Sequence, residues 1–403
     1  MSPGDIAWIL ISSSLVLFMT PGLALFYGGM VRAKNVLNML MMNFFTISIV
    51  TVLWVLVTYS LIFGESTGGI IGDFSKIGLD GVEGEELLGA IFQLTFAIIT
   101  PALITGAIAE RMKFSAWIAF AALWSLLVYP FVGHWTWGDG GWFHDLFNVG
   151  AADFAGGLVV HINAGIAALV LVMVLGKRRG FGREAIRPHS LPLTLLGTGI
   201  LWFGWFGFNA GSAGAADFGA INAWMTTQVA ASVGALGWVA AEWRKTGKPT
   251  MLGAASGAIA GLVCITPAAG YVGPMAALAF GAVAGVVCFL AVSMKFRYGY
   301  DDSLDVVGVH LVGGIAGSLM LGILGDATFL GDGIEGLVYG GLDFFSAQVV
   351  AILATMTFSG VMSYIIAKAI DKTIGLRASE QEELEGLDIT LHEERGYVLS
   401  ETA

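Results

Sequence analysis

Two stretches decide how this chain folds: DFAGGLVVHINAGIAALVLVMVLG at residues 153–176 and DVVGVHLVGGIAGSLMLGILG at residues 305–325. Aligned on His161 and His310, both read V-H-x-x-x-G-I-A, placing Gly165 against Gly314, Ile166 against Ile315 and Ala167 against Ala316. Composition alone does not produce so long a match. Each stretch is apolar enough to lie in a lipid bilayer, where a buried imidazole without a partner is strongly disfavoured. One histidine in each half therefore implies that each is the other's partner, at the place where two related halves meet.

The rest of the chain supports that setting. Over 403 residues it is 56% hydrophobic and 12% charged, with mean hydropathy +0.80, which excludes a soluble multidomain protein. Runs of about 20 apolar residues, enough to cross a hydrocarbon core of about 30 Å, recur throughout. Eleven are expected, at about 6–31, 37–63, 87–109, 114–132, 154–175, 191–209, 220–243, 251–269, 274–294, 304–324 and 344–370. LVLVMVLG at 169–176 and ILATMTF at 352–358 are uniformly apolar rather than alternating, so the spans read as helices and not as barrel strands. The 57 glycines suit helices that approach closely. The N-terminal MSPGDIAW lacks a basic leader and runs straight into the first span.

Charge orders these spans. Arg32, Lys34, Arg111, Lys113, the Lys177 to Arg187 loop, Arg244, Lys245, Lys248, Lys295, Arg297 and the tail fall on one side, with Lys76 alone opposite. Lys and Arg mark the cytoplasmic face, so the N-terminus is expected outside and the C-terminus inside. Spans one to five (about 1–176) and six to ten (about 191–325) then have opposite orientations, an inverted repeat, with the eleventh span outside it. The expected domains are a transmembrane unit, 1–370, and a cytoplasmic tail, 371–403, holding nine acidic and three basic residues.

Polar groups at membrane depth mark the candidate site. Asp153 precedes His161 by eight residues, two helical turns or about 12 Å if the stretch is helical. It reads equally as a helix cap and as a fixed charge favouring an arriving cation. Asp305 reads as the mirror-image cap before His310. Two neutral imidazoles sharing a proton suit a small polar molecule better than a metal, and no H-E-x-x-H or third convergent ligand accompanies them. Cys264 and Cys288 lie inside spans and imply neither disulfide nor metal cluster. No metal, cofactor, enzymatic activity or nucleic-acid partner is expected. Aromatic residues gather in FQLTF at 92–96 and LWFGWFGFNAGS at 201–212, near Trp137. Such faces attract a compact cation by about 0.5–2 kcal/mol each, though for Trp137 and Trp142 a place in the interfacial belt competes.

DFAGGLVVHINAG, GWFGFNAGSAG, GAASGAIAGLVCITPAAGYV, DVVGVHLVGGIAG and the tail phrase GLRASEQEELEGLD together resemble the ammonium transporter/methylammonium permease/Rhesus superfamily, closest to its bacterial ammonium transporter branch. The resemblance spans essentially the whole sequence. It implies an eleven-span homotrimeric protein of the cytoplasmic membrane, each subunit with its own pore for ammonium or ammonia and for methylammonium as analogue. It further implies recruitment of the ion at Trp137, Phe96 and Ser212 with Asp153 below, a gate of Phe96 and Phe208, and a lumen lined by His161 and His310. Phe92, Trp205, Tyr129 and Thr266 match further pore or mouth positions. The tail resembles a segment that touches the inner loops and answers a PII-type nitrogen signal protein. Relatives tend to read His-Gly-Glu after the G-L-D phrase, where this chain has His392, Glu393 and Glu394. Two other readings remain at this level: an ammonium sensor with little flux, and a Rhesus-like channel for ammonia or carbon dioxide.

Overall fold

The computed structural model describes residues 1–329 and 334–397; the last six residues expected in the tail lie outside the described residues. Among the described residues the regular structure is helical apart from a hairpin of Ser66–Thr67 and Ile71–Gly72. The long rods are α1 (Pro3–Met30), α2 (Ala33–Phe63), α3 (Gly84–Ile108), α4 (Phe114–Trp137), α5 (Gly157–Leu175), α6 (Leu191–Gly211), α7 (Phe218–Thr246), α8 (Met251–Ile265), α9 (Pro274–Tyr298), α10 (Val307–Leu324) and α11 (Leu342–Thr373). Among the described residues, nine of these are long and apolar enough to cross a membrane; α8 is apolar but short, and α7 carries a polar C-terminal end. Each expected span thus has a helix beneath it.

Helix starts follow the local chemistry. Ser190, Asp217 and Thr250 cap α6, α7 and α8 by accepting a backbone N–H three residues on, and Pro274 opens α9. The eighth span stops four residues earlier than expected because the chain turns at Thr266-Pro267, and the Pro267 carbonyl accepts the Phe154 N–H at 3.1 Å.

The two histidine stretches depart from ordinary α-helix in the same way. Gly157–Ile162 and Val307–Leu311 are wound in wide turns, with the His161 N–H on the Gly156 carbonyl and the Val312 N–H on the Val307 carbonyl, each five residues back. Helix α5 therefore begins at Gly157, and the stretch from Asp153 to His161 is not the pair of α-turns expected. A second correction concerns the inner cap. Asp302, not Asp305, accepts the Val306 and Val307 N–H groups (3.1 and 2.8 Å), and Asp302 stands eight residues before His310 as Asp153 does before His161. Asp305 instead adopts φ +67° and pairs with Lys295. The helices cross where the repeat places its glycines: a Cβ on Gly314 would sit 3.2 Å from that of His161, and one on Gly165 would collide with the Leu311 backbone. Close approach there is possible only without side chains.

At the basic end of the bundle, buried Glu110 receives Arg32 and Arg178, and Arg178 also holds Asp301. Burial alone would raise the Glu110 carboxyl, but the two guanidinium groups hold it below its ordinary range. The tail folds back here as α12 (Glu380–Glu385) and α13 (Leu387–His392). Asp388 accepts the Leu37 and Asn38 N–H groups at the start of α2, while Lys34 donates to the Glu383 carbonyl at 2.9 Å. The tail thus caps another helix of its own chain.

Candidate functional site: a vestibule, a phenyl pair and a twin-histidine lumen

At the end opposite the tail, a cavity of about 680 Å³ is walled by Phe92, Phe96, Trp137, Asp153, Phe154, Ser212 and Tyr271, with Glu85 at its rim. Its floor is aromatic. Phe96 stacks on Phe208 with ring centroids 4.2 Å apart and 26° between planes, and meets Trp137 edge-on at 5.9 Å. Phe92 packs against Phe96 at 4.9 Å. The Trp137 indole is fixed by its Nε1–H, which donates to the Asp153 carbonyl at 3.0 Å. Ser212 spends its hydroxyl proton on the Phe208 carbonyl (2.8 Å), so its remaining lone pairs are acceptors and suit an N–H donor.

Asp153 anchors the turn beneath the vestibule. Its carboxylate accepts four backbone N–H groups, Gly156 and Gly157 on Oδ1 (2.8 and 2.6 Å), Leu158 and Val159 on Oδ2 (2.7 and 3.1 Å). Gly156, at φ +113°, supplies the left-handed residue that lets the chain wrap the carboxylate. The capping half of the expectation for Asp153 is thereby met.

Below the phenyl pair lies a small apolar lumen lined by Phe208, Trp205, His161 and His310, and by Met19, Leu23 and Phe26 of α1. Its volume, about 10 Å³, is room for roughly one water-sized molecule. A hydrated ion does not fit. The two imidazoles meet there, Nδ1 to Nδ1 at 3.2 Å, with ring centroids 5.3 Å apart and planes 25° from parallel. One proton between those nitrogens leaves the Nε2 positions for the lumen, and the buried Nε2 of His161 has no protein partner. Trp205 covers the other face of His161, stacked at 5.5 Å and 21°.

Of the residues singled out in the sequence, Trp137, Phe96, Phe92, Ser212 and Asp153 come together in the vestibule, and Phe208, Trp205, His161 and His310 in the lumen. Tyr129 lines neither cavity and packs on Trp124 at the bend of α4, while Thr266 accepts the Trp205 indole N–H at 2.9 Å from behind the wall. Met19, Leu23 and Phe26 were missed. They are ordinary apolar residues of a span, and nothing local distinguishes them. No group of three or more histidine, cysteine or acidic residues fit to hold a metal occurs among the described residues.

Fold and site together define a helical multi-pass membrane protein with a buried imidazole pair beneath an aromatic-floored cavity. The chain belongs to the ammonium transporter family, whose model matches residues 7–397. It is 48% identical over 397 residues to the ammonium transporter Amt1 of Archaeoglobus fulgidus, covering 98% of this chain and 100% of that one. Against the ammonium transporter of Bacillus subtilis it is 47% identical over 407 residues, covering 98% and 99% of the two chains. Among solved structures, Candida albicans Mep2 superposes with TM-score 0.87 at 34% identity, covering 95% of this chain and 88% of that one. A structure described as a sensor Amt protein superposes with TM-score 0.89 at 26% identity, covering 96% and 97%.

Proposed function

We propose that this protein moves ammonium across the cytoplasmic membrane by recruiting the ion and conducting its uncharged base. The observation that carries the reading is the pair of imidazoles 3.2 Å apart in a lumen with room for about one water, sealed above by the Phe96 and Phe208 rings. Trp137 and Phe96 offer aromatic faces to a compact cation, and Ser212 offers an acceptor. Asp153 holds this floor in shape and adds negative charge beneath it. Stripping water from an ion inside an apolar passage costs several kcal/mol or more, a penalty that uncharged ammonia escapes. The ion therefore gives up its proton near the phenyl pair, either back to the aqueous phase above the vestibule or onward along the His161–His310 pair, and ammonia passes the histidines, donating to or accepting from the exposed ring nitrogens.

In this reading all eleven long helices cross the bilayer, with the N-terminus outside, the tail inside, and α1–α5 and α6–α10 as inverted halves plus α11. The basic residues clustered at the tail end support that orientation. Three copies assemble, each with its own passage, and a PII-type protein meets the tail face, where α12 and α13 lie on the inner loops. A current on an ammonium jump distinguishes proton-coupled transport from an ammonia channel. The likeness to the sensor Amt structure favours a second reading, binding with little flux, while the more similar named relatives are transporters. Methylammonium uptake into vesicles containing the purified protein separates the two: accumulation above empty vesicles is expected, and its absence would leave only the sensor.

A further inference from the structure

Behind the lumen wall runs a buried chain of side chains. Trp205, Phe208 and Asn209 stand at i, i+3 and i+4 of α6, hence on one face. The Trp205 Nε1–H donates to Thr266 Oγ (2.9 Å), the single Thr266 hydroxyl proton is divided between the Leu262 carbonyl (2.7 Å) and Asn209 Oδ1 (3.3 Å), and Asn209 Nδ2 donates to Thr227 Oγ (2.9 Å). Thr227 ends the chain by donating to the Ala223 carbonyl at 2.6 Å. The four side chains are at most 2% exposed, so no water competes for them.

We infer that Asn209 is a positioning residue for the passage: its amide ties α6 to Thr227 of α7 and to Thr266 just past α8, and so fixes the Trp205 ring against His161 and Phe208. The inference rests on the transport reading for its functional consequence, though not for its geometry. Trp205 lies 5.5 Å from the rings of both His161 and Phe208, so its tilt sets the width between imidazole and gate. Asn209 lines neither the vestibule nor the lumen and touches nothing that passes. Its effect is relayed through a ring.

The variant Asn209→Leu isolates this role because it leaves no stranded partner. Thr227 keeps the Ala223 carbonyl, and Thr266 turns its proton wholly to the Leu262 carbonyl, already 2.7 Å away. The fold should survive while the tie is lost. Expected are wild-type abundance and melting temperature, a Trp205 ring turned relative to His161 in a crystal structure of the variant, and methylammonium uptake per molecule lower by about tenfold, the scale of one net hydrogen bond. Thr227→Ser, which keeps the acceptor, should match wild type. A Trp205 ring held at its original angle in Asn209→Leu would overturn the inference, as would uptake that falls only in proportion to folded protein. Were wild type itself to move no methylammonium, the transport reading would fail, while the ring angles would still decide whether Asn209 holds Trp205.

Discussion

Replacing Asp153 by asparagine tests how the vestibule floor is held. The carboxylate divides its work evenly, two backbone N–H groups on each oxygen. An asparagine keeps one oxygen and turns its NH2 toward the other pair of donors. Two charge-assisted bonds are lost at about 1.5–3 kcal/mol each, together about 3–6 kcal/mol, before any donor–donor repulsion. At about 1.4 kcal/mol per factor of ten, the formed turn becomes rarer by two orders of magnitude or more. Both neighbours of the turn are tied to it, Trp137 through the Asp153 carbonyl at 3.0 Å and His161 through the Gly156 carbonyl at 3.0 Å. The indole and the imidazole should drift together. Methylammonium uptake per molecule in vesicles, with abundance checked separately, should fall at least tenfold in Asp153→Asn and further in Asp153→Ala. Wild-type uptake in a fully folded Asp153→Ala protein would refute the reasoning, because among the described residues no other side chain accepts those four N–H groups.

Further expectations concern the basic end. Glu110→Gln takes one of its two carboxylate partners from buried Arg178, which keeps Asp301, and should lower stability by about 1.5–3 kcal/mol, read as a drop in melting temperature in detergent; an unchanged melt would contradict the network. Glu393 occupies the left-handed region at φ +56°, where an L side chain costs about 1–2 kcal/mol, so Glu393→Gly should slow proteolysis of the tail, and faster cleavage would count against this geometry. His392, bonded through Nε2 to Asn38 Oδ1 at 3.0 Å and packed on Phe114, is held below the ordinary imidazole range by burial, against the pull of Asp388 and Glu394. The docked tail therefore carries the neutral ring and the released tail binds the proton, so docking is full above about pH 6.5 and weakens as the pH falls below that. Tail cleavage should be faster at about pH 5.5 than at about pH 7.5, and a His392→Gln tail should lose the difference.

How much of this was legible depends on whether a residue carries its own signal. His161 and His310 do, because an imidazole in an apolar run is conspicuous and the repeated phrase pairs it with its partner. Phe96, Phe208, Trp137 and Ser212 were placed by resemblance, and the folded chain brings them together around one cavity and its floor. Asp302 was overlooked in favour of Asp305 because the two phrases were read from their first aspartates; counting eight residues back from each histidine finds Asp153 and Asp302 alike. The wide turns at Gly157–Ile162 and Val307–Leu311 leave no periodic trace in stretches buried on every side. Met19 and Phe26 reach the lumen only through the packing of α1 against distant helices, and the cluster of Glu110, Arg178 and Asp301 joins residues from three separate loops. Long-range pairing of that kind is a property of the folded chain.

Potassium provides the most direct test of the mechanism, since it is a monovalent cation of nearly the same size as ammonium and has no proton to give up. Vesicles containing the protein should take up ammonium or its methyl analogue and remain closed to potassium under an equal gradient, because only a species that can shed its charge enters a passage this narrow. Potassium flux at a rate comparable to that of ammonium would contradict the account, since it would mean that an intact ion passes between the phenyl rings and the histidines.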